Sequence, residues 1–408
     1  MMQLTRLPNG IKVASRAMPG FETVALGLYA EAGSRHEPAE LNGIAHLFEH
    51  MVFKGAGGRS AREISEAIED VGGDLNACTE RDGTSFTATL LAEHLPLGVE
   101  LLASLILHPH LDEDELQREK QVVLQELAEA RDTPSDIIFD ELWAAAFSGQ
   151  PLGRSILGDE ASVERIGVAD LHGWREAHYR GDSLCLVAAG RVDHDALVAQ
   201  AGRWLADVPV GSGGDYDPAV FTGEQCVLRG RSDQAHVTLA LPGPAIGATD
   251  YYAARLFADL VGGGASSRLF QALREERGLA YSVSASLQSY SDIGIFSVHA
   301  ATSARNAGAA AKLIDQILGE AAAGATMKEL ERAKTQARAG LLMSLESTWG
   351  QASYLSRQLA LHGRLVEPLE VLDRLKGVTL DDVHAAGAAM LAGPRASASI
   401  GTRAARAA

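Results

Sequence analysis

Residues 46–50 read His-Leu-Phe-Glu-His, and no other stretch limits the chain's possible structures as tightly. The pattern has a use only if the backbone is helical there. On an α-helix each residue advances about 100°, which puts His46 and His50 about 40° apart and one turn along, so both imidazoles can reach one metal ion. Glu49 falls about 60° to the other side of His46, where its carboxylate can meet water at that metal. Two neutral nitrogen ligands beside a carboxylate base are what a hydrolytic zinc site requires. The order inverts the commoner H-E-x-x-H. The helix is two-faced: Ile44, Leu47, Phe48 and Met51 form a core stripe, and His46, Glu49, His50 and Phe53 take the opposite arc. A solvated face is usually filled by Lys, Glu and Gln, so two histidines there favour ligation over plain exposure.

A catalytic zinc site needs a third protein ligand, with water in the fourth position. The segment 115–131 contains strong helix formers and no Gly or Pro. Its apolar stripe runs through Leu116, Val123, Leu127 and Ala130, and Glu119 and Glu126 lie on the same stripe. Carboxylates on a core face are costly unless a charge or donor compensates them. Zinc and its histidines would do so; solvation at the stripe's edge, or pairing with Arg118 or Lys120, is the alternative.

At 408 residues the chain exceeds one ordinary core and is expected to form two or more domains. Asn9-Gly10 reads as the turn of an opening β-hairpin. Val24, Leu26, Leu28 and Ala30 alternate like a half-buried strand, and strands near 74–92 precede long helices from 94 to 145. The Gly-Ser-Gly-Gly stretch at 211–214 is the best linker candidate. This gives an N-terminal domain 1–210, a linker 211–222 and a C-terminal domain 223–408. The second half repeats the plan: Glu329-Leu-Glu-Arg-Ala-Lys334 echoes Glu115-Leu-Gln-Arg-Glu-Lys120 at an offset of 214, but without H-x-x-E-H. Gly262-Gly263-Gly264 lacks the ending of a phosphate loop. The expected class is α+β, with two similar domains, each a mainly antiparallel sheet backed by helices.

The formal charge of −17 argues against nucleic acid and favours cationic partners. No apolar run is long enough for a membrane span. The cysteines Cys78, Cys185 and Cys226 form no disulfide or metal pattern, and the start lacks a secretory or transit pattern, so a cytoplasmic location is expected over a periplasmic one.

Through H-x-x-E-H, Glu119, Glu126, Gly72-Gly-Asp-Leu-Asn-Ala77 and Pro151-Leu-Gly-Arg-Ser-Ile-Leu-Gly158, the chain resembles the pitrilysin/insulinase superfamily, in particular its mitochondrial-processing-peptidase-like branch. The resemblance covers essentially the whole chain. It implies a zinc endopeptidase with one Zn2+ per chain, bound by His46, His50 and Glu126, with Glu49 as base and Glu119 supporting the ligands. It also implies that Arg274 and Tyr281 face the zinc and steady the substrate's carbonyl oxygen. The segment Asn76-Ala77-Cys78-Thr79 looks like the edge strand on which an extended peptide is added, with Asn76 and Ala77 as its substrate-binding residues. Phe53 matches an aromatic that meets the residue after the cut, with core packing as its alternative. Asp136 and Asp140, one helical turn apart, match acids that bind an arginine before the cleavage site; helix-dipole stabilisation and solvation are their alternatives.

In processing peptidases the zinc motif and the Arg/Tyr pair sit on different subunits. Both are in this chain, so a clamshell homodimer enclosing a chamber is expected. The rivals are a scaffold like the core subunits of the cytochrome bc complex, and a peptide-binding module that keeps zinc for structure. A structural site would normally be closed by four protein ligands.

Overall fold

The computed structural model describes residues 2–214, 216–228 and 234–401; Asp215, inside the expected linker, lies outside them. The chain divides into two compact units. The first contains residues 1–128, 154–217 and 342–367, and the second 129–153, 218–341 and 368–408.

The first unit carries β1 (Met2–Arg6), β2 (Lys12–Ala17), β3 (Thr23–Ala30), the short ribbon β4 (Gly55–Ala56) and β5 (Arg59–Ser60), β6 (Asp74–Thr79), β7 (Thr84–Leu91) and β8 (Leu184–Gly190). Six of these make one sheet in the order β1-β2-β8-β3-β7-β6, antiparallel except for the β2/β8 pair. The β1/β2 hairpin turns at Asn9-Gly10, where Gly10 has φ 101°, a left-handed conformation that suits glycine. Asn9 Nδ2 ties the turn down by donating to Leu205 O at 2.7 Å.

The strand at 24–30 is not half-buried. Both of its faces are covered: Val24, Leu26 and Leu28 join the main core, while Ala25 packs in a second cluster with Ala14, Val187, Leu355 and Leu359. The second cover is the helix Thr348–His362, which lies against β2, β3 and β8. A strand covered on both faces reads as a continuous apolar run rather than an alternation.

The second unit carries β9 (Gln225–Leu228), β10 (Ala235–Gly243), β11 (Ala280–Ser289), β12 (Gly294–Thr302) and β13 (Ala396–Ile400), in the sheet order β11-β12-β10-β13-β9. Helices Tyr251–Gly262, Ala307–Gly324 and Leu380–Ala392 pack around one core with it, and the helix Pro134–Ala146 packs on β10 and β13. Gly262 ends its helix so close to β11 that a Cβ would stand 2.3 Å from Ala285 N. Close packing accounts for this glycine without a phosphate loop.

The units do not follow the linear division at 211–222. Helices Pro134–Ala146 and Thr348–His362 stand 214 residues apart, the offset of the sequence repeat, and each belongs to the unit built mainly from the other half of the chain. Each covers the second face of a sheet, a long-range pairing that local periodicity does not encode. On the same helix-to-helix offset, Ala333 and Gly340 stand where Glu119 and Glu126 do, so the second copy lacks both acids.

Candidate metal centre

The motif helix runs Ile44–Val52, with Ile44, Leu47, Phe48 and Met51 buried and His46, Glu49 and His50 partly exposed. Its start is set by Gly43, at φ 96°, and by Glu37. Glu37 Oε2 accepts from Gly43 N (2.9 Å) and Asn42 Nδ2 (2.7 Å), and Oε1 accepts from Ala45 N (2.9 Å). A carboxylate at this end satisfies donors that lack a partner within the helix and complements its dipole. Burial pushes the Glu37 carboxyl up to about 7, against the pull of these donors and Arg154.

The helix Glu113–Asp132 presents Glu119 and Glu126 from one face. His46 Nε2 and His50 Nε2 lie 3.8 Å and 3.7 Å from Glu126 Oε2, and ligand atoms of all three residues fall within 4.8 Å of one another. Ligands about 2.0–2.2 Å from a tetrahedral zinc are about 3.4 Å apart, so each histidine stands a few tenths of an ångström beyond that separation from Glu126. Among the described residues, this is the one such group of three His, Cys, Asp or Glu side chains.

The surroundings suit ligation. His50 Nδ1 lies 3.1 Å from Glu119 Oε2. An ionised carboxylate only accepts, so the proton sits on Nδ1 and the Nε2 lone pair is left for the metal. Lys54 Nζ holds the other Glu119 oxygen at 2.7 Å and compensates a side chain that is nearly buried. Burial, then the neighbouring His50, pushes His46 down to about 4, so it is neutral near pH 7. Glu49 Oε2 accepts from the Thr79 hydroxyl at 2.5 Å. Burial raises the Glu49 pKa more than Thr79 and His50 lower it, the direction a general base near neutral pH requires.

The sequence reading did not single out Lys54 or Glu37, and it placed Thr79 on the edge strand without a link to Glu49. Lys54 lies in the turn just past the motif helix, beyond Phe53, so helical spacing from His50 does not predict its contact.

The other expected site residues are placed as follows. β6 is a sheet edge, pairing with β7 alone. Asn76 is exposed on it, Ala77 is half-buried against the core, and Ala77 N donates to Asn76 Oδ1 at 2.8 Å. Phe53 caps the motif helix and packs partly against the main core, which is the bland use of a lone Phe.

Asp136, Asp140, Arg274 and Tyr281 belong to the second unit. Asp136 is exposed in the first turn of helix Pro134–Ala146, with Asp140 half-buried one turn on. Arg274 lies in the last turn of a π-helical stretch, Phe270–Glu275, with its guanidinium 4.8 Å over the Phe270 ring. Tyr281 is 62% exposed on the edge strand β11, where the register with β12 shifts between Ala280 and Ser282. π-turns and β-bulges often re-aim side chains at functional sites, and one falls at each of these two residues.

A family model described as insulinase (peptidase family M16) matches residues 12–160, and one described as peptidase M16 inactive domain matches 165–337. An uncharacterised zinc protease of Rickettsia felis is 33% identical over 93% of this chain and 92% of its own. The chain belongs to the insulinase (M16) peptidase family. An uncharacterised zinc protease of Bacillus subtilis is also 33% identical, over 92% of each chain. The β subunit of the mitochondrial processing peptidase of Lentinula edodes is 31% identical over 93% of this chain and 85% of its own. The M16 fold recurs in a Pseudomonas fluorescens structure titled peptidase M16 inactive domain, with a TM-score of 0.92 at 23% identity over 100% and 99% of the two chains. A Helicobacter pylori protease superposes with a TM-score of 0.91 at 20% identity over 98% and 99%.

Proposed function

We propose that this M16 chain is a zinc-dependent endopeptidase that cleaves short or unfolded peptides bound as an extended strand, with one zinc ion per chain. The observation that carries the reading is the convergence of His46, His50 and Glu126 beside Glu49. Three protein ligands and a neighbouring base fit an open, catalytic zinc site better than a closed structural one.

Zinc bound by this triad would supply a Lewis acid and lower the pKa of water there to about 7. Glu49 takes the proton of the attacking water and passes it to the leaving amine. Glu119 keeps the His50 ring oriented and Nδ1 protonated. β6 offers its free edge to the substrate backbone, and main-chain pairing tolerates many side chains. Arg274 and Tyr281 donate to the scissile carbonyl oxygen. Asp136 and Asp140 select an arginine in the peptide. One chain carries both the triad and the Arg/Tyr pair, which favours a homodimer in which each zinc site takes that pair from its partner.

The decisive experiment follows cleavage of a quenched arginine-containing peptide. A chelator is expected to abolish it and zinc to restore it. Glu49→Gln is expected to keep zinc and lose about 10²–10⁴-fold in kcat. Full activity in Glu49→Gln refutes the base assignment. Zinc-loaded wild-type protein that cleaves nothing favours the scaffold reading.

A further inference from the structure

The base of this site is held by the edge strand. Thr79, the last residue of β6, is buried, although Cys78 and Glu80 on either side are exposed. Its hydroxyl donates to Glu49 Oε2 at 2.5 Å. Behind it stands Thr84, the first residue of β7 and the partner of Thr79 in the register. The two hydroxyl oxygens are 3.3 Å apart, and Thr84 donates to Ala32 O at 2.8 Å.

Each hydroxyl owns one proton and two lone pairs. With Glu49 ionised, the Thr79 proton goes to the carboxylate and the Thr84 proton to Ala32 O, so both rotors are fixed. The pair therefore fixes a donor on the Glu49 carboxylate.

We propose that Thr79 is a positioning residue for Glu49, its buried hydroxyl holding the carboxylate in the orientation from which the base acts. Because Thr79 lies on the edge strand, it also ties the base to the element that receives the peptide. The proposal rests on the peptidase reading above.

Thr79→Val keeps the β-branched shape and removes the hydroxyl; Thr79→Ser keeps the hydroxyl. In zinc-loaded enzyme acting on the quenched peptide, Thr79→Val is expected to lose about tenfold to a hundredfold in kcat, with KM changed by less than about twofold. Thr79→Ser is expected to stay within about threefold of wild type, and both variants to bind zinc like wild type. The Thr79 backbone N–H also donates to Glu49 and is kept in Val, so a crystal structure of Thr79→Val is expected to show the Glu49 carboxylate turned about that remaining bond. Wild-type kcat in Thr79→Val, a loss confined to KM, no rescue by Ser, or an unmoved Glu49 carboxylate would each overturn the proposal. A wild-type protein without chelator-sensitive cleavage overturns the peptidase reading instead, and the crystal structure still decides whether Thr79 holds Glu49.

Discussion

Glu49, Glu119 and Glu126 share one small region, and their neighbours give them three different tasks. Glu126 faces two imidazoles, Glu119 is divided between His50 and Lys54, and Glu49 is held by a hydroxyl. Glu119→Gln should therefore weaken zinc binding by about 10–100-fold without removing a ligand; competition with a chromogenic chelator measures this, and unchanged affinity would contradict the role given to Glu119. Charge reversal at Asp136 and Asp140 should slow cleavage of arginine-containing peptides and spare neutral ones, and equal loss on both would exclude selective recognition. His46 and His50 were legible in the sequence because helical periodicity turns spacing into direction; the same periodicity offered Glu119 and Glu126 as candidates, and the family resemblance implied their roles. The link from Thr79 to Glu49 was not legible, because it joins a strand to a helix 30 positions away, and no local period predicts such a meeting.

At the scale of elements, the site depends on where one helix begins. Glu37→Gln replaces an acceptor by a donor facing Gly43 N, Asn42 Nδ2 and Ala45 N, so at least one donor loses its partner. The expected cost is about 1–3 kcal/mol, read as a lowered Tm; an unchanged Tm would mean that the cap adds nothing. A second element-level test uses pH. His36 lies with its ring 5.9 Å from that of His178, and burial first, then His178, pushes His36 down to about 4. In the unfolded chain it takes a proton near about 6.5. Between those values the unfolded state binds more protons, so the stability due to neutral His36 is present above about 6.5 and is lost as pH falls towards 4. The Tm gap between wild type and His36→Gln should shrink from pH 7 to pH 5, and a constant gap would contradict the buried neutral imidazole. Hairpin, strands and helices were readable from turn residues and periodicity. The burial of β3 on both faces was not, since its second cover comes from Thr348–His362, more than 300 residues along the chain.

At the scale of the whole molecule, the 214-residue repeat is structural: two sheets, each covered on one face by a helix at the matching offset, with the candidate metal group, among the described residues, in the first copy. Among the described residues, no helix is long and apolar enough to cross a membrane. The linker composition at 211–214 pointed to a simple cut, and the exchange of two helices between the units could not be seen there, because it depends on which sheet face each helix covers. The homodimer is tested by light scattering coupled to size exclusion, with twice the chain mass expected and monomer at all concentrations excluding it. The account as a whole stands on one cation held by one triad. The most direct measurement is anomalous diffraction at the zinc edge from zinc-loaded crystals. It should show one peak per chain about 2.0–2.2 Å from His46 Nε2, His50 Nε2 and a Glu126 oxygen. Zinc bound elsewhere, or a triad that stays without density in zinc-loaded crystals, would contradict it.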